Sequence, residues 1–347
     1  MKKNIILADC DESELSEFRD SLIYDGKVFV VESTISNWER TGKLSELKRY
    51  LTYFRVALSA FLKRGNYQVI VGWQQFYALI FCFYCSLFHV KKKNIVIAFN
   101  FTYKEKKGRL SKAYKWFMKM CVNPKYLDGL HVPSANYADC FSEEFGFPRD
   151  RILVAPFGIN DCYSEFKQLK RPTEYENKEY VFAIGRSNRD FDFLIRAWNK
   201  MEFPLVIASD TYKKDKCENR FIEIHHDITE KESHRWIEHC KCMVIPIENP
   251  EICSGDTVLL TSMACGKIVV VTSPSTLGEM YVTDGVNGYL LPKNEEIFLK
   301  GMKKIISEDS EVVKENARNC YLNSYSRKSL GNNLQLFFEK IKAEKTK

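Results

Sequence analysis

The chain has 347 residues, 45% hydrophobic and 28% charged, enough for two α/β domains that each bury a core. Its formal charge of +7 and pI of about 8.7 fall short of a dedicated nucleic-acid binder, so no nucleic-acid partner is expected. Twelve cysteines without a repeated spacing exclude a secreted disulfide scaffold and read as reduced thiols of a cytoplasmic protein.

Met1–Lys3 leads into an apolar run, Asn4–Ala8, but Asp9, Asp11, Glu12 and Glu14 follow too soon for a signal peptide, and a first strand is predicted instead. Further strands are predicted at Lys27–Val31, Val69–Gly72, Asn94–Ala98, Gly129–Pro133 and Ile152–Ala155. Helices are predicted between them, at Lys43–Lys63, Gln75–His89, Leu110–Met120 and Asn136–Phe145. The longest apolar run, Phe76–Val90, is about fifteen residues against the roughly twenty that span a bilayer, and reads as a buried helix. Lysines and arginines crowd between Lys91 and Lys119. In Arg109–Met120, Trp116, Phe117 and Met120 interleave with Lys112, Lys115 and Lys119. Such a helix suits an anionic membrane surface, or equally a solvated face over a core-packing aromatic stripe.

The polar, charged stretch Ser164–Glu179 reads as a linker. Strands follow at Tyr180–Ile184, Leu205–Ala208, Phe221–His225, Cys242–Ile247 and Ile268–Thr272, with helices at Asp192–Met201, Lys231–His239 and Asp256–Cys265. The last helix, Leu330–Lys345, is amphipathic through Leu334, Phe337, Phe338 and Ile341 and can pack back on either domain. The resulting division is an N-terminal domain over 1–165, a linker over 166–179, a C-terminal domain over 180–325, and a C-terminal helix over 326–347 that can pack back on the N-terminal domain. Alternating strands and helices predict two doubly wound parallel sheets, and ligands of such sheets sit beyond the strand carboxyl ends.

The stretch Pro246–Pro274 holds the most chemistry. It reads as strand, loop, helix, strand, with Ser254 and Asp256 as alternative N-caps and Gly266 as the helix stop. Ser254, Gly255, Asp256 and Thr257 lie at a helix N-terminus just past a strand. Backbone N–H groups and the helix dipole there favour an anion, so the loop is either a phosphate cradle or an ordinary capped helix. Gly158 and Gly185–Arg186 also follow strands directly and are expected on the same rim.

Four segments in series resemble the retaining GT-B glycosyltransferases of family 4, the glycosyl transferases group 1: Asp128–Asn160, Ala183–Trp198, Ser254–Ser273 and Glu279–Pro292. The resemblance implies two Rossmann-like domains facing across a cleft. It implies transfer of a sugar from a nucleotide-sugar donor, UDP- or GDP-linked, to a glycan acceptor with retention. Arg186 matches the family arginine that contacts the donor diphosphate, and Arg189 lies nearest the usual lysine. Gly185 belongs to the same Gly-Arg pair, Gly158 would admit the donor at the facing turn, and Ile224 to Asp227, His225 included, would line the nucleobase pocket. Two family glutamates are replaced by Cys253 and Thr261, and Glu251 is the carboxylate left to meet the sugar. Asn100 stands at the place of a family histidine and is the candidate acceptor contact.

No Asp-x-Asp motif occurs, so neither a metal nor a cofactor is expected. His225, His226, His234, His239, Cys240 and Cys242 lack zinc-site spacing. Cys82 and Cys85 read as core thiols. The expectation is therefore a metal-independent hexosyltransferase of bacterial surface polysaccharide synthesis, cytoplasmic at the inner face of the membrane, with a lipid-linked acceptor. Alternatives are a non-catalytic glycosyltransferase-like subunit and another sugar-nucleotide enzyme of the same fold.

Overall fold

The computed structural model describes residues 2–34, 43–103, 105–106, 108, 110–215, 217–228 and 230–346. The chain forms two compact units. Unit 1 is Met1–Asn160 with Arg327–Lys347, and unit 2 is Asp161–Ser326. The charged stretch 166–179, read as a linker, lies inside unit 2. Its Phe166 and Tyr175 are buried among Tyr180, Phe182 and Trp236, so two aromatic anchors outweigh the polar composition around them.

Unit 1 contains β1 (Lys3–Ala8), β2 (Ile23–Tyr24), β3 (Lys27–Ser33), β4 (Tyr67–Gly72), β5 (Ile95–Ala98), β6 (Gly129–Val132) and β7 (Ile152–Val154). They form one sheet in the order β2-β3-β1-β4-β5-β6-β7, parallel except for the short β2–β3 pair. Its helices are α1 (Ser16–Asp20), α2 (Lys43–Leu62), α3 (Gln75–Leu87), α4 (Ser111–Cys121) and α5 (Ala135–Phe145). The central strands are apolar on both faces because both faces are covered. On one face α3 is the buried centre, with Tyr77–Cys82 almost free of solvent and α2 and α4 packed beside it.

Unit 2 contains β8 (Val181–Ile184), β9 (Leu205–Ala208), β10 (Ile222–His225), β11 (Cys242–Ile245), β12 (Ile268–Ser273) and β13 (Tyr289–Pro292). Their order is β10-β9-β8-β11-β12-β13, parallel throughout, with Val244 opposite Val270 in register. The helices are α6 (Tyr163–Phe166), α7 (Phe191–Trp198), α8 (Glu230–His239), α9 (Asp256–Ala264), α10 (Thr276–Tyr281), α11 (Glu295–Glu308) and α12 (Glu311–Cys320). Of these, α6, α10 to α12 and strand β13 were not anticipated from sequence.

The last helix, α13 (Arg327–Thr346), belongs to unit 1, where Leu330, Leu334, Phe337 and Phe338 are buried against the second face of the sheet. Phe338 stacks on Phe29 at 5.7 Å and meets Tyr24 edge-on at 5.5 Å. Phe338→Ala is expected to cost about 3–5 kcal/mol through cavity formation. The unfolding transition of unit 1 in urea should shift to lower denaturant, and that of unit 2 should stay in place.

Candidate functional site

In unit 2 the loops that leave β8, β9, β10 and β11 all emerge at the carboxyl edge of the sheet, as parallel strands require. Gly185 and Arg186 follow β8, and Ser209 and Asp210 follow β9. Ile224 and His225 end β10, and the loop 246–255 joins β11 to α9.

Arg189 is the structural centre of this edge. Its Nε donates to Ile184 O at 3.3 Å, and its Nη1 donates to the carbonyls of Ser187 at 3.1 Å, Asn188 at 3.3 Å and Ser254 at 3.2 Å. Burial lowers its pKa to about 10, and the Asp256 carboxylate works in the opposite sense. Two glycines make room for the guanidinium. A Cβ on Gly185 would fall 2.5 Å from Arg189 Nε, and one on Gly255 would fall 2.3 Å from Nη2. Asn188, at φ +55, bridges the same loops. Its Nδ2 donates to Asn249 O at 3.1 Å and Ile252 O at 3.0 Å, and its Oδ1 accepts from Asn249 N–H at 2.7 Å.

A third tie comes from Lys293, just beyond β13. Its ammonium reaches Asp190 Oδ2 at 2.5 Å and Ile247 O at 3.1 Å. Asp190 in turn caps α7 through Phe193 N–H at 2.9 Å. The buried Thr272 hydroxyl accepts Ile247 N–H at 2.7 Å. Neither Lys293, Asn188, Asp190 nor Thr272 was singled out from sequence. The one available signal was the threonine that ends the apolar run of strand β12, Ile268–Val271.

Arg186 has a different character. It is largely exposed and meets Asp210 at 3.0 Å, a solvent-screened pair worth little by itself. Its backbone carbonyl accepts from the Thr211 hydroxyl at 2.7 Å, so the loop is fixed while the guanidinium is not buried. Helix α9 begins at Asp256 behind Gly255, whose φ is +109, and no side chain caps it. Ser254 and Asp256 are therefore not the N-cap expected from sequence. The cap position needs positive φ and contact with Arg189, and only glycine supplies both. Thr257 is exposed in the first turn, and Thr261 is half-buried one turn on. Cys253 lies 4.0 Å from Met280 Sδ, and partial burial with Asp256 nearby pushes its thiol pKa up. Glu251 is exposed, its backbone N–H held by Asn249 Oδ1 at 3.0 Å.

The histidines and cysteines that suggest a metal on a count are spread among separate tasks. His226 bonds Ser209 O at 2.7 Å, His239 bonds Leu169 O at 2.8 Å, and Cys240 and Cys242 are buried. His225 lies beside Glu223 and against Trp236. A depression of about 820 Å³ lies at the opposite, amino-terminal edge of the sheet, and several of its cations are paired with carboxylates. Lys241 pairs with Glu179 and Asp309, Lys314 with Asp309 and Glu311, and Arg318 binds both oxygens of Asp161.

Gly158 and Asn100 belong to unit 1. Gly158 is buried in the turn after β7, where Arg327 N–H donates to Ile159 O at 2.8 Å. Asn100, at φ +51, uses its N–H to bond Nδ1 of the buried His131 at 3.2 Å, while His131 Nε2 lies 3.0 Å from Ala155 O. Accepting at Nδ1 and donating from Nε2, the ring is a neutral imidazole. Burial lowers its pKa to about 4. His131 was not singled out from sequence. In α4, the expected membrane-facing stripe is split. Trp116 is exposed, Phe117 packs against Phe83 and Phe54, Lys115 pairs with Glu144 at 2.7 Å, and Arg109 lies outside the described residues.

Two outcomes follow from this geometry. Gly255→Ala should destabilise unit 2 by about 1–3 kcal/mol, from positive φ plus the clash with Arg189. The control Gly266→Ala, at φ +65 with only ordinary contacts, should cost about 1 kcal/mol; denaturant midpoints read both. For His131 the folded state binds its proton only near pH 4, whereas the unfolded chain binds it near pH 6.5. Its contribution is thus complete above pH 6.5 and is lost as pH falls toward 4, by about 3 kcal/mol in all. A His131→Gln variant should lack that slope in urea titrations across the same range.

Residues 178–308 match the family model of glycosyl transferases group 1. A glycosyltransferase from Rickettsia africae is similar in structure, with TM-score 0.64 and 13% identity over 98% of each chain. Anabaena Alr3699/HepE, in complex with UDP, gives 0.61 and 14% over 98% of this chain and 100% of its own. The lipopolysaccharide outer core galactosyltransferase WaaB gives 0.57 and 13% over 97% and 99%. Comparison with curated proteins found no significant match. The chain has two parallel-sheet α/β units, the fold of the GT-B glycosyltransferases it resembles, and residues 178–308 of its second unit match the group 1 glycosyl transferase model.

Proposed function

We propose that the chain is a retaining, metal-independent glycosyltransferase that uses a UDP- or GDP-linked sugar. The observation that carries this reading is the convergence at one sheet edge of an exposed arginine, Arg186, and an uncapped helix start behind Gly255, both on loops braced by Arg189. Such an edge suits a diphosphate. Arg186 supplies a forked cation, and the first turn of α9 supplies N–H groups and a positive dipole end. As the sugar–phosphate bond breaks, negative charge grows on the departing phosphate, and fixed donors at that place lower the barrier. Arg189 acts as a positioning residue, since its Nε and Nη1 are spent on carbonyls of both loops. Ser254 and Thr257 hydroxyls are offered to the phosphates. The half-buried Ile224–His225 strand end is offered to the nucleobase, and Glu251 to the sugar hydroxyls.

The resemblance to family 4 supports retention, with the leaving phosphate helping to deprotonate the acceptor. That the Anabaena protein binds UDP, and in another structure UDP-glucose, supports a uridine donor. The basic surface of α4 supports a lipid-linked acceptor at the inner face of a bacterial membrane, and hence a part in surface polysaccharide synthesis.

The test is a thermal-shift series of the purified chain with UDP, GDP, ADP, CMP and dTDP. A nucleotide at a hundred times its Kd adds about 2.7 kcal/mol of stability. UDP or GDP is expected to stabilise the wild type, and Arg186→Ala to weaken that nucleotide by about tenfold to a hundredfold. No stabilisation by any nucleotide in a cooperatively folding protein would reject the enzyme in favour of a non-catalytic subunit.

A further inference from the structure

Helix α2 buries one stripe, Tyr53, Ala57, Ala60 and Phe61, in the core of unit 1. A second apolar stripe lies about a third of a turn round the helix and faces solvent. It recurs at spacings of three and four residues: Leu44, Leu47, Leu51, Phe54 and Leu58, with Leu44, Leu47 and Leu51 exposed by 68, 55 and 61%. Phe54 carries the stripe across to α4, where its ring lies 6.0 Å from Phe117, beside Trp116, which is 55% exposed. Single exposed leucines need no explanation, but a continuous ridge over two helices does.

We propose that this ridge is a membrane-docking surface, whose leucines and Trp116 enter the interfacial layer of an anionic bilayer. The charge around it selects that occupant. Arg55 on α2 and Lys112 and Lys119 on α4 outnumber the one carboxylate of the two helices, Glu46, while Lys115 is taken up by Glu144 of α5. Anionic headgroups complement such a rim, and each cation near the surface adds to binding. A second copy of the chain would set the same cations against each other. No helix among the described residues is long and apolar enough to cross a membrane, so the ridge lies on the surface rather than spanning it. The proposal deepens the reading of a lipid-linked acceptor, yet it requires neither donor nor acceptor and is tested without them.

The measurement is cosedimentation with vesicles of phosphatidylcholine alone and of phosphatidylcholine mixed equally with phosphatidylglycerol. The wild type should bind the mixed vesicles and not the neutral ones. Leu47→Gln/Leu51→Gln should lower that partitioning about tenfold or more while leaving the melting temperature unchanged, because both side chains are solvent-facing. Lys112→Gln/Lys119→Gln should weaken it and reduce its salt dependence. Wild-type protein that ignores anionic vesicles, or a leucine variant that binds as well as wild type, would overturn the proposal. So would a wild-type dimer in sedimentation velocity that the leucine variant converts to monomer.

Discussion

A cation with carbonyls for partners holds the carboxyl edge of the unit 2 sheet together. Taking a guanidinium out of water costs several kcal/mol unless its donors are met. Arg189 meets that cost by drawing in carbonyl oxygens from both ends of its own loop and from Ser254 of the next one. The two loops therefore cannot relax apart without exposing the penalty. Gly185 and Gly255 follow from the same demand, since a side chain at either place would occupy the space of the guanidinium. Asn188 and Lys293 add neutral and charged ties in parallel, so the edge is held by three independent sets of contacts.

In unit 1 a comparable edge is built from rings. Trp73 stacks on Phe99 at 5.6 Å, Phe99 stacks on His131 at 4.3 Å, and the Arg327 guanidinium sits 4.4 Å from the Trp73 ring centre. Trp73 and Phe99 each follow a strand directly, and the stack places a neutral His131 under Asn100. The two units thus share a parallel-sheet architecture and fix their strand-end loops by different chemistry.

Much of this was legible in the sequence. The β-branched run of β12, the helix stop at Gly266 and the apolar helix α3 each announce themselves through one dominant signal. The loops were legible as places but not as geometry. Ser254 and Asp256 are both competent caps, and nothing local reveals that Arg189 has already claimed the space beside the intervening glycine. The stretch 166–179 reads as a linker because its charges outnumber its anchors, whereas its burial is led by Phe166 and Tyr175, with Pro172 also buried. Lys293 belongs to no motif. Its role arises from a strand order that brings the end of β13 to one side of a loop whose other neighbours lie some hundred residues earlier. The leucines of α2 were hidden by a different ambiguity, since one helix carries two apolar stripes and the sequence does not say which is covered.

The return of α13 to unit 1 has a consequence for the order in which the chain acquires structure during synthesis. Unit 2 is one unbroken segment and can close its core as soon as Ser326 has left the ribosome. The first residues made wait longest. Until Leu330, Leu334 and Phe338 emerge, one face of the unit 1 sheet is covered only by the short segment that carries Leu15, Phe18 and Leu22. The nascent protein therefore passes through a stage in which its second unit is complete while its first still shows a half-covered apolar face to chaperones.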